Sequence, residues 1–108
     1  MNKETEVQNR IRLHLTEKFP GIILWRNSIG YDTRAKVHYG IGGTGGSDLV
    51  GLYKGRFVGI EVKAPGAYTE REHLAEQSNF IRVIRECGGI AGFADSPEQA
   101  EAIISGAA

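Results

Sequence analysis

The chain has 108 residues, 41% hydrophobic and 24% charged, with 13 basic and 13 acidic side chains and no net charge. This composition fits one packed domain over residues 1–108 and excludes a disordered or fibrous chain. No apolar run approaches the ~20 residues of a membrane span. The polar start, Met1 to Glu6, has no apolar signal core and points to the cytoplasm. The single Cys87 excludes an intrachain disulfide and a cysteine-built zinc site.

The neutral total hides an asymmetry: residues 1–63 carry 10 Lys/Arg and 6 Asp/Glu, residues 64–108 carry 3 and 7. A basic face and ordinary scatter both account for it.

In chain order, Val7, Ile11 and Leu15 recur every fourth residue and predict a helix over 4–18, stopped by Pro20-Gly21. The apolar run 22–25 predicts a strand. Residues 27–46 are glycine-rich and irregular, with a short strand near 35–39. Two apolar runs, 48–53 and 56–63, flank Lys54-Gly55, a hairpin signal. Ala64-Pro65-Gly66 ends the second strand. Thr69 and Glu72 form a capping box that opens a helix running to Cys87, closed by Gly88-Gly89. Residues 90–94 predict the last strand. Ser96-Pro97-Glu98-Gln99 opens the last helix with a second capping box. The alternation predicts a mixed α/β domain.

The two-residue turn sets the hairpin register. Tyr53 faces Arg56, Leu49 faces Ile60, and Asp48 then faces Glu61 on the same side of the sheet. Lys63 shares that side, because strands alternate. Both strands are apolar on both faces, which predicts central strands covered on two sides. Two adjacent carboxylates there repel and are costly to desolvate. A shared divalent cation, protonation of one, or a salt bridge with Lys63 would each relieve them, and Mg2+ suits few carboxylates plus water. Gln77 lies on the apolar stripe of Leu74, Ile81 and Ile84. Either it bonds backbone as a buried amide or it reaches the carboxylates. Glu4 points within about 20° of Ile11 at 100° per residue. It either turns toward the sheet or only places charge at the helix N-terminus.

Asp48 followed by Glu61-Val62-Lys63 resembles the PD-(D/E)xK nuclease core. More narrowly, the chain is similar to the VRR-NUC domain family. The similarity rests on residues 4–8, Trp25-Arg26-Asn27-Ser28, 46–51, 55–63, Gln77 with Phe80-Ile81, and Gly88-Gly89-Ile90, within about residues 4–100. Ser47 stands where the named motif has proline. The resemblance implies a restriction-endonuclease-like fold, a mixed central sheet flanked by helices, and phosphodiester hydrolysis with Mg2+ or Mn2+. It implies Asp48, Glu61 and the Val62 backbone carbonyl as metal ligands, Lys63 near the attacking water, Gln77 supporting the site and Glu4 as a further acidic member. DNA contacts are expected at Arg26, Asn27, Arg34, Lys36 and Ser47. Small stand-alone members resemble phage or bacterial junction resolvases, which implies a homodimer acting on branched DNA, without a membrane partner. A non-catalytic DNA-binding module keeping the same fold is the alternative. Its signature would be a lost acidic ligand or lysine, and all are present.

Gly40-Ile41-Gly42-Gly43-Thr44-Gly45 satisfies G-x-G-x-x-G but precedes a strand rather than following one, which argues against dinucleotide binding. Its glycines either let phosphate approach the backbone or make a mobile loop. Tyr31, Arg34, Lys36 and Tyr39 mix cations with aromatics, a pattern that suits DNA contacts and equally a solvated loop. His14 and His73 are expected on helix surfaces.

Overall fold

The computed structural model describes residues 3–64 and 71–107. Helix α1 (Lys3–Lys18) forms where the sequence predicts it, because one stripe of Val7, Ile11 and Leu15 is buried. Gly21, at φ 92, turns the chain into β1 (Ile23–Arg26). A small hairpin follows, β2 (Gly30–Asp32) with β3 (Val37–Tyr39), and then a 3-10 turn at Gly43–Gly45. Strands β4 (Leu49–Tyr53) and β5 (Arg56–Val62) come next. Helix α2 (Arg71–Glu86), β6 (Ile90–Ala94) and α3 (Pro97–Ala107) complete the chain.

The main sheet has the order β1-β4-β5-β6. β4 pairs antiparallel with β1 and β5, while β5 and β6 run parallel, joined by the crossover through α2. The hairpin register is the predicted one, Tyr53↔Arg56 through Leu49↔Ile60. Lys54 (φ 50) and Gly55 (φ 79) both take the positive φ of a type I′ turn, whose twist matches the strands.

Alternation along β5 divides the core. Val58, Ile60 and Val62 join Leu49 and the stripes of α1 and α3 (Ile11, Leu15, Ala100, Ile104) on one face. Phe57 and Ala91 meet Ile81 and Ile84 of α2 on the other. Glu61, one residue from Ile60 and Val62, therefore points to the α2 side.

Several boundaries differ from the sequence reading. Asp48 and Lys63 lie just outside their strands, β1 begins at Ile23, and β2 was not foreseen. Two-sided cover also fails at Leu52, which is 45% exposed. His14 is no free surface residue: its Nε2 lies 2.7 Å from Glu101 Oε1 and ties α1 to α3. Ser96 Oγ accepts the Gln99 N–H, but Gln99 Oε1 reaches back to the amide of Asp95, so the predicted box closes one residue early. The stop at Pro65-Gly66, the Thr69 cap and the His73 side chain lie outside the described residues.

Candidate active site

Asp48 and Glu61 meet where β4 and β5 stop pairing. Asp48 Oδ2 accepts the Val62 N–H at 2.9 Å, so a side chain continues the ladder beyond Leu49↔Ile60. The Asp48 carbonyl accepts the Asn27 N–H at 2.8 Å. Glu61 is 2% exposed, and its Oε1 accepts the Gln77 Nε2–H at 2.6 Å. Of the two readings of Gln77, the one that reaches the carboxylates holds.

Glu61 Oε2 is buried with no hydrogen-bond partner among the described residues. Its neighbour is the Asp48 carboxyl, and two ionised carboxylates have only acceptors to offer each other. Burial raises the Glu61 pKa from 4.5 to about 9, and a hydrogen bond with the Asp48 side chain, the Asp48 charge and Glu4 push the same way, against Lys63. Without a cation, Glu61 therefore favours its protonated form at neutral pH.

An orphaned oxygen and a displaceable proton between two carboxyls fit a hard divalent cation, which takes oxygen ligands and fills the rest of its shell with water. Asp48 and Glu61 are the side chains able to hold it. Among the described residues no three of His, Cys, Asp and Glu gather as a metal cluster, so Glu4 does not complete a three-carboxylate cage.

Glu4 is exposed and lies instead along a polar cleft of about 260 Å3, with Gln8, Arg26, Asn27 and Asp48 also on its walls. Lys63 is half-buried and held by its N–H on the Ala94 carbonyl. Val62 is fully buried as a side chain and enters the site only through its backbone.

Two residues expected at the DNA are engaged with the protein itself. Ser47 is fully buried and packs against Gly59, where an added Cβ would lie 3.0 Å from its Oγ. Its side chain lies in the interior rather than on the surface. Asn27 spends its amide inside the protein: Nδ2 donates to the Ile41 and Ser47 carbonyls at 2.8 and 2.9 Å, and Oδ1 accepts the Ile41 N–H at 3.0 Å. It is a clamp that locks the glycine loop beside Asp48, and sequence spacing carried no sign of it.

At Gly45 and Gly46 the absence of a side chain serves that packing. A Cβ on Gly46 would sit 2.0 Å from the Ile41 carbonyl oxygen, and one on Gly45 would sit 2.5 Å from the Glu76 carbonyl of α2.

Arg26 is exposed on the cleft wall, and Arg34 and Lys36 are exposed on the β2–β3 hairpin. Asp32 Oδ1 shapes that turn by accepting the Arg34 and Ala35 amides. Tyr31 and His38 pair across the strands, ring centroids 4.8 Å apart. No helix among the described residues is long and apolar enough to cross a membrane. No protein-family model matches the chain, and no curated protein does.

Proposed function

We propose that the chain is a Mg2+- or Mn2+-dependent deoxyribonuclease of the VRR-NUC type, cutting phosphodiester bonds in branched DNA. The observation that carries the proposal is Glu61: a glutamate buried on a central strand, beside a second carboxyl, steered by Gln77 and left with an unpartnered oxygen. A purely structural core would replace such a group with an apolar one, since an uncompensated buried carboxyl destabilises the fold.

When held by Asp48, Glu61 and the Val62 carbonyl, the cation would polarise the phosphodiester and lower the pKa of a bound water. The protein's own groups do the rest. The Val62 N–H fixes one oxygen of Asp48, and Gln77 fixes one oxygen of Glu61, so both acids are oriented before substrate arrives. Lys63 brings positive charge to the side where negative charge develops on the phosphate. Arg26, Arg34 and Lys36 attract the DNA backbone. A domain this small offers little surface for two duplex arms, and the proposed assembly is a homodimer, which light scattering at micromolar concentration would report as about twice 11.8 kDa.

The test is incubation of purified protein with plasmid and four-way-junction DNA in Mg2+, Mn2+ or EDTA, beside Asp48→Asn. Metal-dependent cleavage by the wild type, lost by at least about 100-fold in the variant, supports the reading. Equal cleavage by the variant in Mg2+ removes Asp48 from the chemistry and sinks it.

A further inference from the structure

The proposed chemistry uses two cations of the β2–β3 hairpin and leaves the rest of that hairpin unexplained. Its strands form a two-stranded sheet of their own, apart from the main sheet. A lone ribbon of this kind is marginal in water, and this one is braced at three places. Asp32 Oδ1 holds the turn by accepting the Arg34 and Ala35 amides. The Tyr39 ring lies across Gly30, where a Cβ would run into it. At the base, Asn27 bonds Ile41 in both directions, Nδ2 donating to its carbonyl and Oδ1 accepting its N–H. The Asn27 N–H itself donates to the Asp48 carbonyl at 2.8 Å. The ribbon is therefore a fixed finger rooted beside Asp48.

Its two faces differ. Residues paired directly across share a face, so Tyr31 and His38 stand on one side, and Asp32, Val37 and Tyr39 on the other. The first face is exposed and carries a phenol hydroxyl and imidazole nitrogens, with no acid among its paired residues. The acid of the hairpin, Asp32, is on the second face and engaged with the turn. Arg34 and Lys36 sit at the turn, exposed, and neither makes an ion pair among the described residues. Lys36 takes a φ of 56, which glycine or asparagine adopts more easily, so the turn holds a cation where backbone preference opposes it. A polar, acid-free face leading to two cations complements a polyanion that offers hydrogen-bonding edges between two rows of phosphates. The width of the element selects the groove: a two-stranded ribbon enters the DNA major groove, about 12 Å wide, and not the minor groove, about 6 Å wide.

We infer that the β2–β3 hairpin lies in the major groove of the duplex arm next to the cut, with Tyr31 and His38 toward the base edges and Arg34 and Lys36 on the flanking phosphates. The inference takes the position of the cut from the nuclease reading and deepens it by naming the groove and the face that engages it. Three residue pairs span about 10 Å, so the contact falls within about five base pairs of the bond beside Asp48.

The experiment is dimethyl sulfate footprinting of a four-way junction bound in Ca2+, with cut sites mapped separately in Mn2+. The reagent methylates guanine N7, which lies in the major groove, and adenine N3, which lies in the minor groove. Wild type should protect guanine N7 within about five base pairs of the cut and leave adenine N3 there reactive. The double variant Tyr31→Thr/His38→Thr should lose that protection and about tenfold or more in affinity. Val37→Thr, on the other face of the same strand, should keep both. Protection of adenine N3 instead, or no guanine protection near the cut, overturns the inference on the wild type alone, whatever the variants do to the ribbon. Equal losses in the two variants overturn the assignment of the face. A wild type that binds the junction without cutting it overturns the nuclease reading, and guanine or adenine protection still decides the groove. A wild type that neither binds nor cuts overturns both.

Discussion

The centre of the main sheet and the β2–β3 hairpin are built from the same kind of element and behave oppositely. On β5 every residue from Val58 to Val62 is buried, and the acids beside it are held by the Val62 amide and by Gln77. On the small hairpin every residue of Tyr31, Asp32, Val37, His38 and Tyr39 is exposed. Its cross-strand Tyr31–His38 contact and the Asp32 turn hold it together locally. On the proposed reading, burial fixes geometry for the chemistry, whereas exposure leaves the hairpin's cations free to follow a DNA backbone. The two regions should therefore separate under mutation, one governing rate and the other affinity and its salt dependence.

The largest effect should come from Lys63→Ala. Cleavage at saturating DNA should fall by roughly 100-fold or more, as losing preorganised charge does, while affinity in Ca2+ changes little. Single-turnover kinetics beside a binding titration would check this. A variant cutting at the wild-type rate would make Lys63 only a countercharge for Glu61.

Proton linkage gives the next effect. Folded Glu61 holds its proton to about pH 9, whereas an ordinary glutamate releases it near 4.5. Between those values the folded chain binds more protons than the unfolded one, so without metal its stability must fall as pH rises and then level off above about 9. Urea midpoints in EDTA from about pH 5 to about pH 9 should decline for wild type and stay flatter for Glu61→Gln. Mn2+ competes with that proton, so its stabilisation should grow with pH. A flat wild-type profile would contradict the buried acid.

Gly46→Ala tests whether the loop positions Asp48. Its Cβ would collide with the Ile41 carbonyl, and overpacking of this kind costs roughly 1–3 kcal/mol. Denaturant unfolding should show the loss, with a lower cleavage rate in the folded fraction. The smallest effect belongs to the hairpin. Lys36→Ala should weaken binding a few-fold and reduce the slope of log affinity against log salt by about one, with cleavage at saturating DNA retained.

The sheet centre was legible because few alternatives were open. A Lys54-Gly55 turn and two apolar strands permit one register, and that register puts Asp48 beside Glu61. Gln77 was legible as a polar residue on an apolar stripe. The hairpin was legible only in part: β2 is three residues long and none of them is buried, so no alternation of burial marks it. The burial of Ser47 was not legible because it depends on Gly59, twelve positions away, lacking a Cβ. The clamp made by Asn27 was hidden for a similar reason, since its partners Ile41 and Ser47 come near only after the loop folds back.

The crossover through α2 also imposes an order of assembly. A hairpin joined by a two-residue turn closes by local diffusion, whereas the parallel pairing of β5 with β6 must wait for a long loop to be drawn in. Asp48 and Glu61 thus come together early, while water still separates and screens their charges. Gln77 and the apolar face of α2 arrive later and remove that water. The docking of α2 is then the step at which Glu61 must take up a proton or the pair must take up a cation. Refolding should carry its pH and metal dependence in that late phase, leaving the closure of the hairpin indifferent to both.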